Sequence, residues 1–208
     1  MNSNYQNILV YLLAFISGFS IMSIELLGGR ILAPYFGSSV HIWCSIITVF
    51  MLSLSIGYLV GGKASTRNAS LFRYGIIFIC AGLFILPIAL SSELVMEFIF
   101  RHIEDSRYGS LLASCALFLI PTIILGMLSP YSVRLLVSNK NESGQIAGRL
   151  YFVSTLGSAI GTIITSFYLI LYFEVNQIIL SCSFILILMG ITAMVLGTKN
   201  NMWVKQHA

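Results

Sequence analysis

The chain has 208 residues, 58% of them hydrophobic and only 9% charged, with a mean hydropathy of +0.94, whereas a soluble domain carries roughly a quarter charged residues. This composition excludes an ordinary soluble domain and describes an integral membrane protein whose surroundings are the lipid bilayer. The formal charge of +4 does not indicate nucleic acid, because the lysines and arginines stand singly between apolar segments and never form a run.

A spanning length of about 20 apolar residues predicts an all-α fold of six transmembrane helices in one polytopic domain, 1–208. The spans fall near 8–33, 41–60, 73–91, 110–129, 149–172 and 177–197. The first basic residue is Arg30, so the N-terminus lacks the positive start of a signal peptide, and its apolar run is too long for one. Nothing in it predicts removal. If the first span stays helical to the residue before Pro34, it must tilt or project beyond the lipid.

Within that first span stands Glu25, in the segment "SIELLGGRILAPYFGSSVHIW" from Ser23 to Trp43. It lies seven residues after Gly18 and three to four before Gly28 and Gly29, so it shares the small-residue face of its helix and points at protein. A carboxylate at that depth is costly unless it is protonated, paired from another helix or facing water. Two readings follow, a ligand or proton site and a purely structural bond between helices. Arg30 is five residues on and about 140° round, poorly placed to pair with Glu25 and suited to reach the headgroups. His41 and Trp43 open the second span as interfacial anchors.

The second span ends in "GYLVGG", with Gly57, Gly61 and Gly62, and the fifth contains "LGSAIG", with Gly157 and Gly161. Such spacing lets helix backbones approach closely. Stripes of hydroxyl residues run along the same two spans, Ser45, Thr48 and Ser55 in one and Ser154, Ser158, Thr162 and Thr165 in the other. They suit tight packing, since a hydroxyl can bond its own i−4 carbonyl, or the lining of a polar path. Between the third and fourth spans, "ELVMEFIFRHIED" sets Glu93, Glu97 and Arg101 at steps of four and predicts a short interfacial helix near 92–104.

Orientation follows from the basic residues. Lys63, Arg67, Arg73, Arg134, Lys140, Arg149, Lys199 and Lys205 fall on one side, and Arg30, Arg101 and Arg107 on the other. The positive-inside rule then puts both termini in the cytoplasm. Cys44, Cys80, Cys115 and Cys182 each sit in an apolar segment without C-x-x-C spacing; they are read as small buried hydrophobes, with no metal site and no cofactor motif. Six spans with matching glycine signatures in the second and fifth fit a 3+3 inverted repeat, as in half of a major-facilitator transporter.

The stretches "ELLGGRILAPYFGSSVHIWCSIITVFMLSLSIGYLVGGK" (Glu25 to Lys63), "ILGMLSPYSVRLL" and "GQIAGRLYFVSTLGSAIGT" (within Ile124 to Thr162) resemble the membrane domain of bacterial membrane-bound spermidine synthase-like proteins, described as fused transporter and synthase chains. The resemblance covers most of the chain. It implies a bacterial inner-membrane domain distantly similar to half of a major-facilitator transporter, and Glu25, Arg30, Pro34, Tyr35, Gly37, Ser38, Ser39 and Trp43 match the family segment one by one. His41 departs from it, since an aromatic is expected there, and so does the region of Phe173 and Glu174, which lacks an expected glycine.

In such proteins aminopropyl transfer belongs to a soluble α/β domain, and no G-x-G-x-x-G turn with an acidic partner occurs in this sequence. The expectation is therefore a non-enzyme. One reading is a transporter-like protein for a polyamine or other small organic cation, with Glu25, Arg30, Tyr35, His41 and Trp43 lining its outer mouth, assembled as a homodimer. The other is a membrane subunit that anchors or feeds a separately encoded soluble aminopropyltransferase.

Overall fold

The computed structural model describes residues 3–66, 69–137 and 140–207, and leaves the side chains of 3–5, 140 and 199–207 undescribed. Arg67 and the side chains of Lys140, Lys199 and Lys205, used above for orientation, therefore lie outside the described residues. The protein is an all-α bundle of six helices, each long and apolar enough to cross a membrane. They are α1 (Ser3–Phe36), α2 (Val40–Ser65), α3 (Leu71–His102), α4 (Ser106–Leu136), α5 (Ser143–Tyr172) and α6 (Val175–His207). No strand occurs among the described residues.

The helices outrun the predicted spans, and two boundaries are corrections. Pro34 does not end α1. Its ring is accommodated in the last turn, and the helix ends two residues later at Phe36, before Gly37, whose φ of +84° is the left-handed conformation that suits glycine. Gly37 N donates to Ala33 O at 2.9 Å, closing the helix.

The expected interfacial helix is not a separate element, because residues 92–102 continue α3 without a break. No glycine or proline interrupts that stretch. Ser92, Met96 and Ile99 are buried against the bundle, while Glu97 and Arg101 form an exposed i, i+4 ion pair. Packing of the buried edge decides the direction of the helix there.

The most extensive pairings are α2 with α4, α3 with α6 and α1 with α5, followed by α3 with α4 and α1 with α4. Exchanging α1, α2 and α3 for α4, α5 and α6 maps the first three of these onto one another, as the 3+3 arrangement requires. The glycines make the pairings close. A Cβ on Gly57 would run into Ile123 O and lie 2.8 Å from Gly126 Cα, and one on Gly61 would lie 2.5 Å from Met127 Cα. In the second seam, Gly157 and Gly161 lie against the Phe15 and Phe19 backbone of α1, and Gly18 against Ser154 and Ser158 of α5. A Cβ on Gly62 would meet nothing within 4 Å, so the contact function of "GYLVGG" rests on two of its three glycines.

Connections alternate between the two ends of the bundle. Residues 37–39, 103–105 and 173–174 lie at one end, and residues 66, 69–70, 137 and 140–142 at the other. The described basic residues Lys63, Arg73, Arg134 and Arg149 are near the second end, here called inner; Arg30, Arg101 and Arg107 are near the first, here called outer.

Candidate functional site

The five residues expected to share an outer mouth are distributed over three places. Arg30 and Tyr35, in the last two turns of α1, line an outer cleft of about 300 Å³ with Ser92 and Glu93 of α3 and Glu174 and Asn176 near the start of α6. Arg30, Glu93 and Glu174 are exposed, while on the same end of the bundle Arg101 pairs with Glu97 and Arg107 with Asp105. Tyr35 and Phe36 both pack edge-on against Phe100, with ring centroids 6.0 and 5.9 Å apart, which ties the end of α1 to α3.

Trp43 lies elsewhere. Its ring covers Gly29, where a Cβ would come within 2.7 Å of the indole, so the glycine makes room for the aromatic and α1 is held against the start of α2. His41 belongs to a third cluster, over the first turns of α2 and α4. Its ring nitrogens bond Ser39 Oγ, the shorter contact being 2.9 Å, and Nε2 reaches Ser106 Oγ at 3.2 Å. Beside it Asp105 caps α4 by accepting from Arg107 N at 2.9 Å, and the Arg107 guanidinium donates to both carboxylate oxygens. That hydrogen bonding and the Arg107 charge, with a smaller effect of His41, hold the Asp105 carboxyl below its ordinary value. One turn inward the pattern repeats between Ser45 and Ser110, 3.1 Å apart.

Glu25 sits deeper. It is half-buried, and no hydrogen bond or ion pair reaches it among the described residues. Two residues before it, Ser23 is fully buried and accepts from Thr165 Oγ1 at 2.8 Å. Thr165 begins a π-helical turn, Thr165–Leu169, in α5. Such turns are single-turn interruptions that recur at functional sites, and this one stands at the depth of Glu25.

One feature of the bundle was not anticipated from the sequence. A cavity of about 390 Å³ lies among the inner halves of α1, α2, α4 and α5, with Tyr74 of α3 in its wall. This volume falls in the range of small-molecule sites. Hydroxyls dominate its polar lining: Ser17 on α1, Ser129 and Ser132 on α4, Ser154, Thr155 and Ser158 on α5. Tyr58 of α2 and Tyr151 of α5, each about half exposed, also line it.

Among the described residues, no charged side chain lines the cavity. Its α1 wall runs from Ala14 to Met22, about 12 Å along the helix. Glu25 continues the same stripe one turn outward, and helical side chains lean back toward the preceding turn, here that of Ile21 and Met22. Position along α1 thus aligns the only acidic residue of that helix with the outer end of the cavity.

Sequence reasoning missed Ser17, Ser129, Ser132 and Thr155 of the lining, and three tyrosines, Tyr58, Tyr74 and Tyr151. Each tyrosine stands alone in an apolar span and adds nothing to a periodic pattern. The hydroxyl stripe of α5 was the available signal, and it divides: Ser158 Oγ donates across to Gly18 O at 3.2 Å and Thr162 to its own Ser158 O, while Ser154 and Ser158 also face the cavity. No protein-family model, curated protein or solved structure matches the chain.

Proposed function

We propose that this chain is a transporter-like protein of the bacterial cytoplasmic membrane, related to the membrane domain of spermidine synthase-like proteins, and that it handles a polyamine or another small organic cation. The observation that carries this reading is the hydroxyl- and tyrosine-lined cavity of about 390 Å³ within the bundle, with an unpaired glutamate one turn beyond its end. Intramembrane carboxylates that face a cavity are characteristic of ion and substrate pathways, and tyrosine faces attract cations. The chemistry is binding and passage, without aminopropyl transfer.

Both termini lie in the cytoplasm in this reading, which the basic residues near the inner end support. The cavity then belongs to the cytoplasmic half of the bundle. The functional unit is a homodimer. α5 rests mainly on α1 and leaves Tyr151, Thr155 and Ser166 exposed, as α2 leaves Thr48, Ser55 and Tyr58. A polar surface of this kind favours another protein surface over lipid.

The test is uptake of labelled 1,4-diaminobutane into proteoliposomes. Wild-type protein is expected to carry flux, and Glu25→Gln, which keeps size and hydrogen bonding but removes the charge, to lose most of it while inserting normally. Wild-type flux in a folded Glu25→Gln protein would leave Glu25 a structural residue and refute the assignment.

A further inference from the structure

The outer cleft holds charges of both signs that do not meet. Arg30 of α1, Glu93 of α3 and Glu174 just before α6 line one space of about 300 Å³, and among the described residues no ion pair or side-chain hydrogen bond joins any of the three to a partner. Nearby, Arg101 and Arg107 are each met by a carboxylate. Opposite charges left apart across a cleft are placed for a ligand that carries both.

The wall between them gives a second sign of a ligand. Ser92 is only 4% exposed, yet it lines the cleft, and its hydroxyl has no partner among the described residues. Ser91 beside it shows the ordinary alternative, donating to Pro87 O at 2.6 Å, four residues back. The Ser92 hydroxyl therefore faces the cleft as a free donor and acceptor. Pro34, also in the wall, has no N–H, which leaves the Arg30 carbonyl without its helical donor and adds an acceptor.

We propose that this cleft binds a zwitterion, with a primary ammonium held by the Glu93 and Glu174 carboxylates and an anionic group held by the Arg30 guanidinium and Ser92. A primary ammonium offers three N–H donors, enough for both carboxylates, and a planar guanidinium takes two oxygens of a phosphate or carboxylate at once. The headgroup of phosphatidylethanolamine and a soluble zwitterion share this chemistry. The setting favours the lipid, because the cleft lies at the ends of spanning helices, where headgroups are bound by charged pockets between them. Ile31, Met96 and Val175 add apolar wall, and Leu90 and Leu94, 75% and 70% exposed on α3 beside Glu93, offer a surface to acyl chains. This site is separate from the hydroxyl-lined cavity and does not depend on the cation-handling reading.

The experiment measures, by native mass spectrometry of the full chain in detergent, the binding of phosphatidylethanolamine, phosphatidylcholine and phosphatidylglycerol with the same acyl chains. Methylation of the ammonium keeps its charge but removes its donors. Wild type should therefore bind phosphatidylethanolamine about tenfold more tightly than phosphatidylcholine, as one charge-assisted hydrogen bond allows, and phosphatidylglycerol, which lacks the ammonium, more weakly than phosphatidylethanolamine. Glu93→Gln combined with Glu174→Gln should abolish the preference, and Arg30→Gln should weaken the ethanolamine and choline lipids alike. Glu97→Gln, which breaks the exposed ion pair one turn further along α3, should leave the preference intact.

A Glu97→Gln protein that loses the preference as fully as the double variant would assign it to general surface charge and overturn the site. If wild type does not distinguish the lipids but sn-glycero-3-phosphoethanolamine raises its thermal stability, and the double variant loses that gain, the site stands and its ligand is a soluble zwitterion. Should the double variant not fold, wild type still decides: equal binding of the ethanolamine and choline lipids, with no response to the soluble headgroup, overturns the proposal.

Discussion

Gly57 and Gly62 stand five residues apart in the same helix, and alanine at each should have opposite effects. At Gly57 the added methyl would meet Ile123 O and Gly126 Cα, the latter at 2.8 Å. These are backbone atoms, so the α2–α4 seam itself must part. Overpacking of this kind costs about 1–3 kcal/mol. Alanine gains up to about 1 kcal/mol over glycine in a helix, which leaves Gly57→Ala destabilised by up to about 2 kcal/mol.

At Gly62 an added methyl would meet nothing within 4 Å, so only the propensity gain remains and Gly62→Ala should equal or exceed wild type. The propensity contribution cancels between the two variants, and their difference reports the seam alone. Reversible unfolding in mixed micelles, titrating SDS into a mild detergent, measures it. A Gly57→Ala protein as stable as Gly62→Ala would show that α2 and α4 do not approach through Gly57, and would remove the physical basis for reading "GYLVGG" as a contact motif.

The six helices were legible because each contains an apolar run long enough to cross a bilayer, and hydropathy sums over that run. Their ends were not. Hydropathy reports what lipid tolerates, whereas a helix continues until its backbone is stopped, as α1 is at Gly37 and α3 only after His102. Contact faces were legible at Gly57, Gly61, Gly157 and Gly161, but not their partners, since Gly126 and the Phe15 and Phe19 backbone carry no signal that points across the bundle.

The grouping of Glu25, Arg30, Tyr35, His41 and Trp43 followed nearness in sequence. A helix converts eleven residues into about 16 Å of length and turns each side chain to its own neighbour, so Trp43 met Gly29 and His41 met Ser106. Tyr58, Tyr74 and Tyr151 come from three helices, and only the packing brings them to one cavity.

With a cysteine-free background, a probe at Ser106→Cys should be labelled from outside and one at Asn141→Cys should not; the reverse pattern would invert the orientation. The α4 cap should weaken in acid. Because the folded Asp105 carboxyl lies below its ordinary value, its contribution is full above the unfolded value and is lost as pH falls through the folded one. Asp105→Asn should therefore flatten the acid limb of the stability profile, and an unchanged limb would assign it to other groups.

The Ser23–Thr165 bond, finally, joins two fully buried hydroxyls across the α1–α5 seam at the first residue of the π-helical turn. Orphaning a buried hydroxyl costs about 1–3 kcal/mol, but Ser23 can turn to its own i−4 carbonyl, that of Phe19, and bonds between membrane helices average about 0.6 kcal/mol. The smaller figure should win. A double-mutant cycle of Ser23→Ala and Thr165→Val is expected to give a coupling near that value. A coupling of zero would mean that the two hydroxyls do not share a bond and that glycine packing alone holds α5 to α1 beside Glu25.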